Sequence, residues 1–290
     1  MKLAVSSYSY ARSKISDIEI IHRAADTGFE GVEFIELFEG QNVPFADKMA
    51  HAKEIRREAD ACGVVIPAYA VDGKLYHGNA EEDLAAIEHF KQEAEIAATL
   101  GATIMRHDAV YSEFINGRVI GFDRMLPTIA ENARAVTEYA ETLGVRTCSE
   151  NHGRLVQDID RLEKLFNAVG HDNYGLLLDV GNFAAADVSS TEAVSRLAPY
   201  AIHLHVKDME IIPYGTPYDT SRKYIMSRGA SRLFPCTLGE GDIPIAHCLE
   251  IFKLGNPAYN GWISLEYEAK KDCLEEIPKC FARMKEYTGQ

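Results

Sequence analysis

The feature that most constrains this chain is a repeated alternation: a short apolar or β-branched run, a few polar residues, then an amphipathic helical stretch. The runs are KLAVSS (2–7), GVEFIE (31–36), VVIPAYAV (64–71), TIMRH (103–107), VRTCSE (145–150), YGLLLD (174–179), AIHLHV (201–206) and WISLEYE (262–268). Helices are expected at 17–27, 46–61, 81–100, 123–143, 157–169, 190–198, 245–254 and 275–287. Ser16 is placed to cap the first, and Gly63, Gly101 and Gly144 to close the second, third and fourth. Strands separated by helices must pair in parallel, because a parallel connection needs a crossover. Eight such units in 290 residues predict a single-domain (β/α)8 barrel over residues 1–290. The competing arrangement is an open doubly wound sheet. It would carry a Gly-rich phosphate turn after the first strand, and SSYSYARSK has none.

Composition narrows the function classes. A formal charge of -14 argues against general nucleic-acid affinity, which needs clustered Lys and Arg. No apolar run approaches the ~20 residues that span a bilayer, and the first residues read as a strand rather than a signal peptide. The six cysteines are scattered with no CxxC pair, as expected of free thiols in a reducing cytoplasm. The irregular segment is a long loop at 208–243, on the barrel's C-terminal rim, carrying Arg222, Lys223, Arg228 and Arg232. A loop this long is expected to act as a lid or phosphate-binding loop, or else to meet a partner subunit or simply lie in solvent.

In a parallel barrel, polar residues near strand C-termini point into the mouth. Four successive strands end this way, with Glu150, Asp179, His205 and Glu266. Three carboxylates cannot gather as anions without a compensating charge, so the pattern predicts one divalent cation held by these four. The carboxylate majority favours Mn²⁺ or Mg²⁺, with Co²⁺, Fe²⁺ or Zn²⁺ also admissible. Around them, Arg106 ends the fourth strand and is a candidate substrate anchor. His152 follows Glu150 onto its loop, Lys207 continues the inward face beyond His205, and Asn182 follows Asp179. Lys207 has a second outcome, an ion pair with a rim carboxylate. Glu33 is the expected rim contact of the second strand, ahead of Glu36, and His203 is expected to hydrogen-bond one layer deeper. Glu240 lies in a Gly-rich turn beside the rim.

The motifs SENH (149–152), LLLDVGN (176–182), HLHVKD (203–208), GEGDIP (239–244) and GWISLEYE (261–268) resemble the sugar phosphate isomerase/epimerase family with the xylose isomerase-like TIM barrel. The family includes ketose 3-epimerases, inosose dehydratases, hydroxypyruvate isomerases and family-two AP endonucleases. The resemblance covers nearly the whole chain. It implies a metal held by Glu150, Asp179, His205 and Glu266, with Glu150 and Glu266 as acid and base. The implied reaction is isomerisation or epimerisation of a ketose or related sugar, phosphorylated or not, by proton transfer through a metal-stabilised enediolate. An inosose-type dehydratase would use the same site. A non-catalytic sugar-binding barrel and an AP endonuclease-like nuclease are the remaining readings. Many members have His three residues after the Asp, where this chain has Asn182, and that weakens the nuclease reading further. The partner implied is a small sugar, with no nucleic acid or membrane, and a homo-oligomer is compatible with the long rim loop.

Overall fold

The computed structural model describes residues 1–290. Its eight central strands are β1 (Lys2–Ser6), β2 (Gly31–Ile35), β3 (Ala68–Ala70), β4 (Ile104–His107), β5 (Arg146–Glu150), β6 (Tyr174–Asp179), β7 (Ala201–Val206) and β8 (Trp262–Leu265). They form a closed barrel in which each strand lies between its neighbours in sequence, and β8 closes on β1. The closing register runs in parallel from Lys2↔Trp262 to Val5↔Leu265. Around the barrel lie α1 (Asp17–Thr27), α2 (Phe45–Cys62), α3 (Ala80–Leu100), α4 (Phe122–Thr142), α5 (Ile159–Val169), α6 (Ser190–Leu197), α7 (Ile245–Gly255) and α8 (Cys273–Thr288). No helix is long and apolar enough to cross a membrane, and all six cysteines are free.

Local chemistry sets the boundaries. The Ser16 hydroxyl accepts the Glu19 N–H at the start of α1. Gly101, at φ 79°, ends α3 in the left-handed region that disfavours other residues. Two strands are shorter than expected. Pro67 cannot donate to a ladder, so β3 begins only at Ala68, and residues before it touch the barrel through the isolated Gly31↔Val65 bridge. The eighth strand ends at Leu265, and the Glu266 N–H then bonds the Val206 carbonyl at 3.0 Å as the chain turns outward.

The largest difference lies at 208–243. What reads as a loop contains a three-stranded antiparallel sheet: Asp208–Ile212 pairs with Arg232–Cys236, which also pairs with Ile225–Met226. The Asp208 carboxylate clasps its base. It accepts the N–H groups of Met209 (2.9 Å), Gly239 (2.8 Å), Gly241 (3.0 Å) and Ile243 (3.2 Å). A Cβ on Gly241 would sit 2.2 Å from Asp208 Oδ1, so this turn admits only glycine.

The main core packs between barrel and helices, while a small apolar layer of Ala68, Ile104, Cys148 and Leu177 fills one side of the barrel interior. On the other side the layer is polar: Glu33, His203 and Ser264 are fully buried. Alternation along the strands places Glu150 two residues above Cys148, Asp179 above Leu177, His205 above His203 and Glu266 above Ser264.

Candidate metal centre

Glu150 and Asp179 end β5 and β6, His205 is the penultimate residue of β7, and Glu266 directly follows β8. One donor atom from each lies within 4.8 Å of the other three. His205 Nδ1 is 3.9 Å from a carboxylate oxygen of both Glu150 and Glu266.

Each member is held by partners that fix its orientation. Glu150 Oε1 accepts the Asn182 side-chain amide at 2.7 Å, and its Oε2 pairs with Arg106 at 2.7 Å. Asp179 Oδ1 accepts the N–H groups of Gly181 (2.7 Å) and Asn182 (3.2 Å), while Oδ2 faces Lys207 Nζ at 2.9 Å. Gly181 is required by this closeness: a Cβ there would lie 2.6 Å from Lys207 Cγ and 2.9 Å from the Lys207 carbonyl oxygen. Lys207 Nζ also bonds Glu268 Oε1 at 2.8 Å and the Glu266 carboxylate.

His205 Nε2 lies 2.8 Å from Glu33 Oε2, and His203 Nε2 lies 2.9 Å from the same oxygen. Since Glu33 can only accept, the Nε2 atom of His205 carries the proton. Its Nδ1, buried with no hydrogen-bond partner, then presents a lone pair toward Glu150 and Glu266. That is the donor a cation needs, and a carboxylate behind a ligating imidazole is the usual support for it. Three carboxylates and one oriented imidazole nitrogen fit a divalent cation.

The electrostatics agree. Burial opposes a charged His205, yet Glu33, Glu266 and Glu150 push it up to about 10: without a cation a proton occupies Nδ1, and a divalent cation would take that proton's place and free the lone pair. Burial pushes Asp179 up to about 6, against the pull of Lys207. Glu150 is also buried, but Arg106 holds it below the ordinary carboxylate value. The two histidines hold Glu33 well below that value in spite of complete burial.

The cluster opens into a cavity of about 200 Å³ at the barrel mouth, lined in part by Arg106, His152, Lys207, Glu36 and Asp72. Two expected substrate contacts do not reach it. Glu33 is 0% exposed beneath the site, holding His205 and His203, so no substrate meets it. Glu36, placed second in the sequence reading, takes the rim position because β2 ends at Ile35 and the alternation stops there. Asn182 is buried outside the cavity lining, and its side-chain amide donates to Glu150 Oε1. Arg106 and Lys207 do line the cavity, but each is already ion-paired, Arg106 with Glu150 and Asp108 and Lys207 with three carboxylates. His152 lines it with a side chain 43% exposed, Nδ1 lying 3.1 Å from Asp108 Oδ2. Burial opposes its protonation, but the Asp108 hydrogen bond and charge raise it above the ordinary histidine value.

Sequence reasoning passed over Asp108, which is 2% exposed and joins Arg106, His152 and the Tyr111 hydroxyl (3.0 Å). It also passed over Glu268, although alternation from Glu266 could have found it. The basic residues at 208–243 do not converge on the centre. Arg222 pairs with Glu210 at 2.6 Å and covers the Phe234 ring, Arg232 covers Tyr218, and Arg228 pairs with Asp158 at 3.2 Å. Glu240 pairs with Lys271 at 2.7 Å.

A family model described as xylose isomerase-like TIM barrel matches residues 21–286. No curated protein matches the sequence. Among solved structures, an IolI protein with a bound zinc atom superposes with a TM-score of 0.76 at 16% identity, covering 99% of both chains. The probable 3-DHS dehydratase AsbF of Bacillus anthracis, involved in petrobactin synthesis, gives 0.74 at 16% identity, over 98% of this chain and 99% of that one. A D-psicose 3-epimerase in the presence of D-fructose gives 0.71 at 15% identity, covering 100% of both. At these identities the likeness is one of fold.

Proposed function

The chain belongs to the xylose isomerase-like TIM barrel family, and from that premise we propose that it is a divalent-metal-dependent isomerase or epimerase of a ketose or related polyhydroxylated ketone. The observation that carries the reading is the pair Glu150 and Glu266, each 3.9 Å from His205 Nδ1, the first reaching it from the end of β5 and the second from the residue after β8. Such a pair can exchange a proton with one carbon from two directions.

Glu150, Asp179, His205 through Nδ1, and Glu266 would hold the ion, and the carboxylate majority favours Mn²⁺ or Mg²⁺. A divalent cation bound there supplies Lewis acidity, polarising a carbonyl and its neighbouring hydroxyl so that the C–H between them becomes acidic. Glu150, kept ionised by Arg106 and oriented by Asn182, is suited to remove that proton. Glu266, less buried and hydrogen-bonded to the Lys207 ammonium, is suited to return one that it takes from that ammonium. Lys207 offsets the negative charge that builds up as the proton leaves carbon. His152 faces the same cavity and can donate to a substrate hydroxyl.

A second reading has its own observation. The Asp108 carboxylate beside His152 favours the charged form of an imidazole at the cavity wall, where it could give a proton to a departing β-hydroxyl. That would make the enzyme a dehydratase beginning with the same C–H cleavage. Proton NMR of a ketose panel in D₂O with added Mn²⁺ or Mg²⁺ separates them. Solvent deuterium at an epimerised or isomerised carbon supports the first reading, and loss of water supports the second. Glu150→Gln and Glu266→Gln should each lower turnover by about 10²–10⁴-fold. Wild-type turnover in both variants would sink the assignment.

A further inference from the structure

The cavity over the metal centre is not the end of the depression. Tyr8 and Glu268 line it and also line an adjoining cleft of about 530 Å³. One wall of the cleft is the 208–236 sheet, with Tyr224 and Phe234. The other wall is the turn after β1 together with the chain leaving β8. Ser9 pins these two segments together: its hydroxyl donates to the Leu265 carbonyl at 3.1 Å and accepts the Tyr267 N–H at 2.8 Å. Arg12 adds a bond to the Ala269 carbonyl at 2.5 Å.

The two compartments differ in charge. In the inner cavity the cations Arg106 and Lys207 are already paired with carboxylates, and Glu36, Glu39 and Asp72 add further acidic lining. An anionic substrate group would meet acidic lining there, and the one positive charge left for it, that of a bound metal ion, would be taken by the carbonyl and hydroxyl oxygens of the reacting end. The cleft contains five basic residues in a chain whose net charge is -14. Arg222 and Lys271 have acidic partners, Glu210 and Glu240. Arg12, Lys223 and Lys270 line the cleft without a carboxylate partner. Three uncompensated cations around one cleft, beside a cavity with acidic lining, orient any bipolar ligand one way: neutral polyol end inward, anionic end outward.

We propose that the substrate carries an anionic group, a phosphate or a carboxylate, at the end remote from its reacting carbonyl, and that Arg12, Lys223 and Lys270 hold this group in the cleft. The proposal rests on the carbonyl chemistry assigned above for where the reacting end lies, but the anion subsite can be measured without turnover. The full chain is titrated with inorganic phosphate and, separately, with acetate, and binding is followed by calorimetry and by amide chemical shifts. Saturable binding with shifts at Arg12, Lys223 and Lys270 is expected. Markedly tighter binding of phosphate than of acetate assigns a phosphate ester, and equal binding assigns a carboxylate. Arg12→Ala and Lys270→Ala should each weaken binding on the order of tenfold, the loss of one charge-assisted hydrogen bond. In turnover, the ratio of kcat/KM for a phosphorylated ketose to that for its neutral counterpart should fall about tenfold in either variant, mostly through KM. No saturable binding of either anion, or wild-type binding in both variants, overturns the subsite. Anion binding at these residues without turnover of any ketose would leave the subsite standing and count against the proposed reaction.

Discussion

At the scale of single residues, the decisive arrangement is a carboxylate beneath the site. Glu33 accepts from both buried histidines and so selects which nitrogen of His205 faces the rim. Glu33→Gln should lower divalent-metal affinity by roughly 10–100-fold, the usual cost of removing the group behind a ligating imidazole. Metal titration by calorimetry, with far-UV circular dichroism confirming the fold, checks this, and unchanged affinity would refute it. The four rim residues were legible in the sequence because each closes an apolar run at the end of a strand, where a charge has few reasons to be. The place of Glu33 beneath the site is not legible locally, because its partners are His203 and His205, far along the chain. Nothing local announces the bond from Asn182 to Glu150 either. Asp108 stayed hidden behind Arg106 and His107, whose alternation gave no ground for continuing past the strand.

At the scale of elements, the helices and strands were readable because capping residues, glycine stops and period changes all agree. The segment 208–243 was not. Its strands DMEII and RLFPC are short, and one contains Pro235, so neither shows the alternation of a half-buried strand. Its base is instead secured by one carboxylate with four N–H partners. Asp208→Ala should destabilise the protein by about 2–4 kcal/mol, because the buried Met209 and Ile243 donors and the part-buried Gly239 and Gly241 donors lose their acceptor. Gly241→Ala should act in the same direction by forcing a Cβ onto that carboxylate. Urea denaturation gives the size of each effect, and limited proteolysis should show cleavage within 213–224 appearing earlier than in the wild type. Equal stability and equal proteolysis would mean that the clasp is ornamental.

At the scale of the whole molecule, acid sensitivity has an identifiable contributor. Burial, aided by Arg106, holds His107 down to about 4, and its ring packs between Phe90 and Tyr174. Between the unfolded histidine value and about 4, the unfolded chain binds a proton that the folded one refuses. Stability is therefore lost as pH falls across that window and is unaffected by this group above it. The contribution is on the order of 3 kcal/mol at most. His107→Gln, though less stable near neutrality, should show a correspondingly shallower loss of stability from pH 6.5 to 4 in denaturant titrations, and a parallel pH profile would exclude the assignment. A closed ring has a further consequence, one of timing. The pair β1–β8 joins residues 2–5 to 262–265. While the chain is still being synthesised, seven strands can be present with β1 and β7 unpaired along one side. Only when Trp262–Leu265 emerges from the ribosome can the ring shut, and Glu266 arrives with it. The nascent chain thus gains its closed sheet and its fourth candidate ligand in one event, so that metal capture during translation would report that the barrel has been completed.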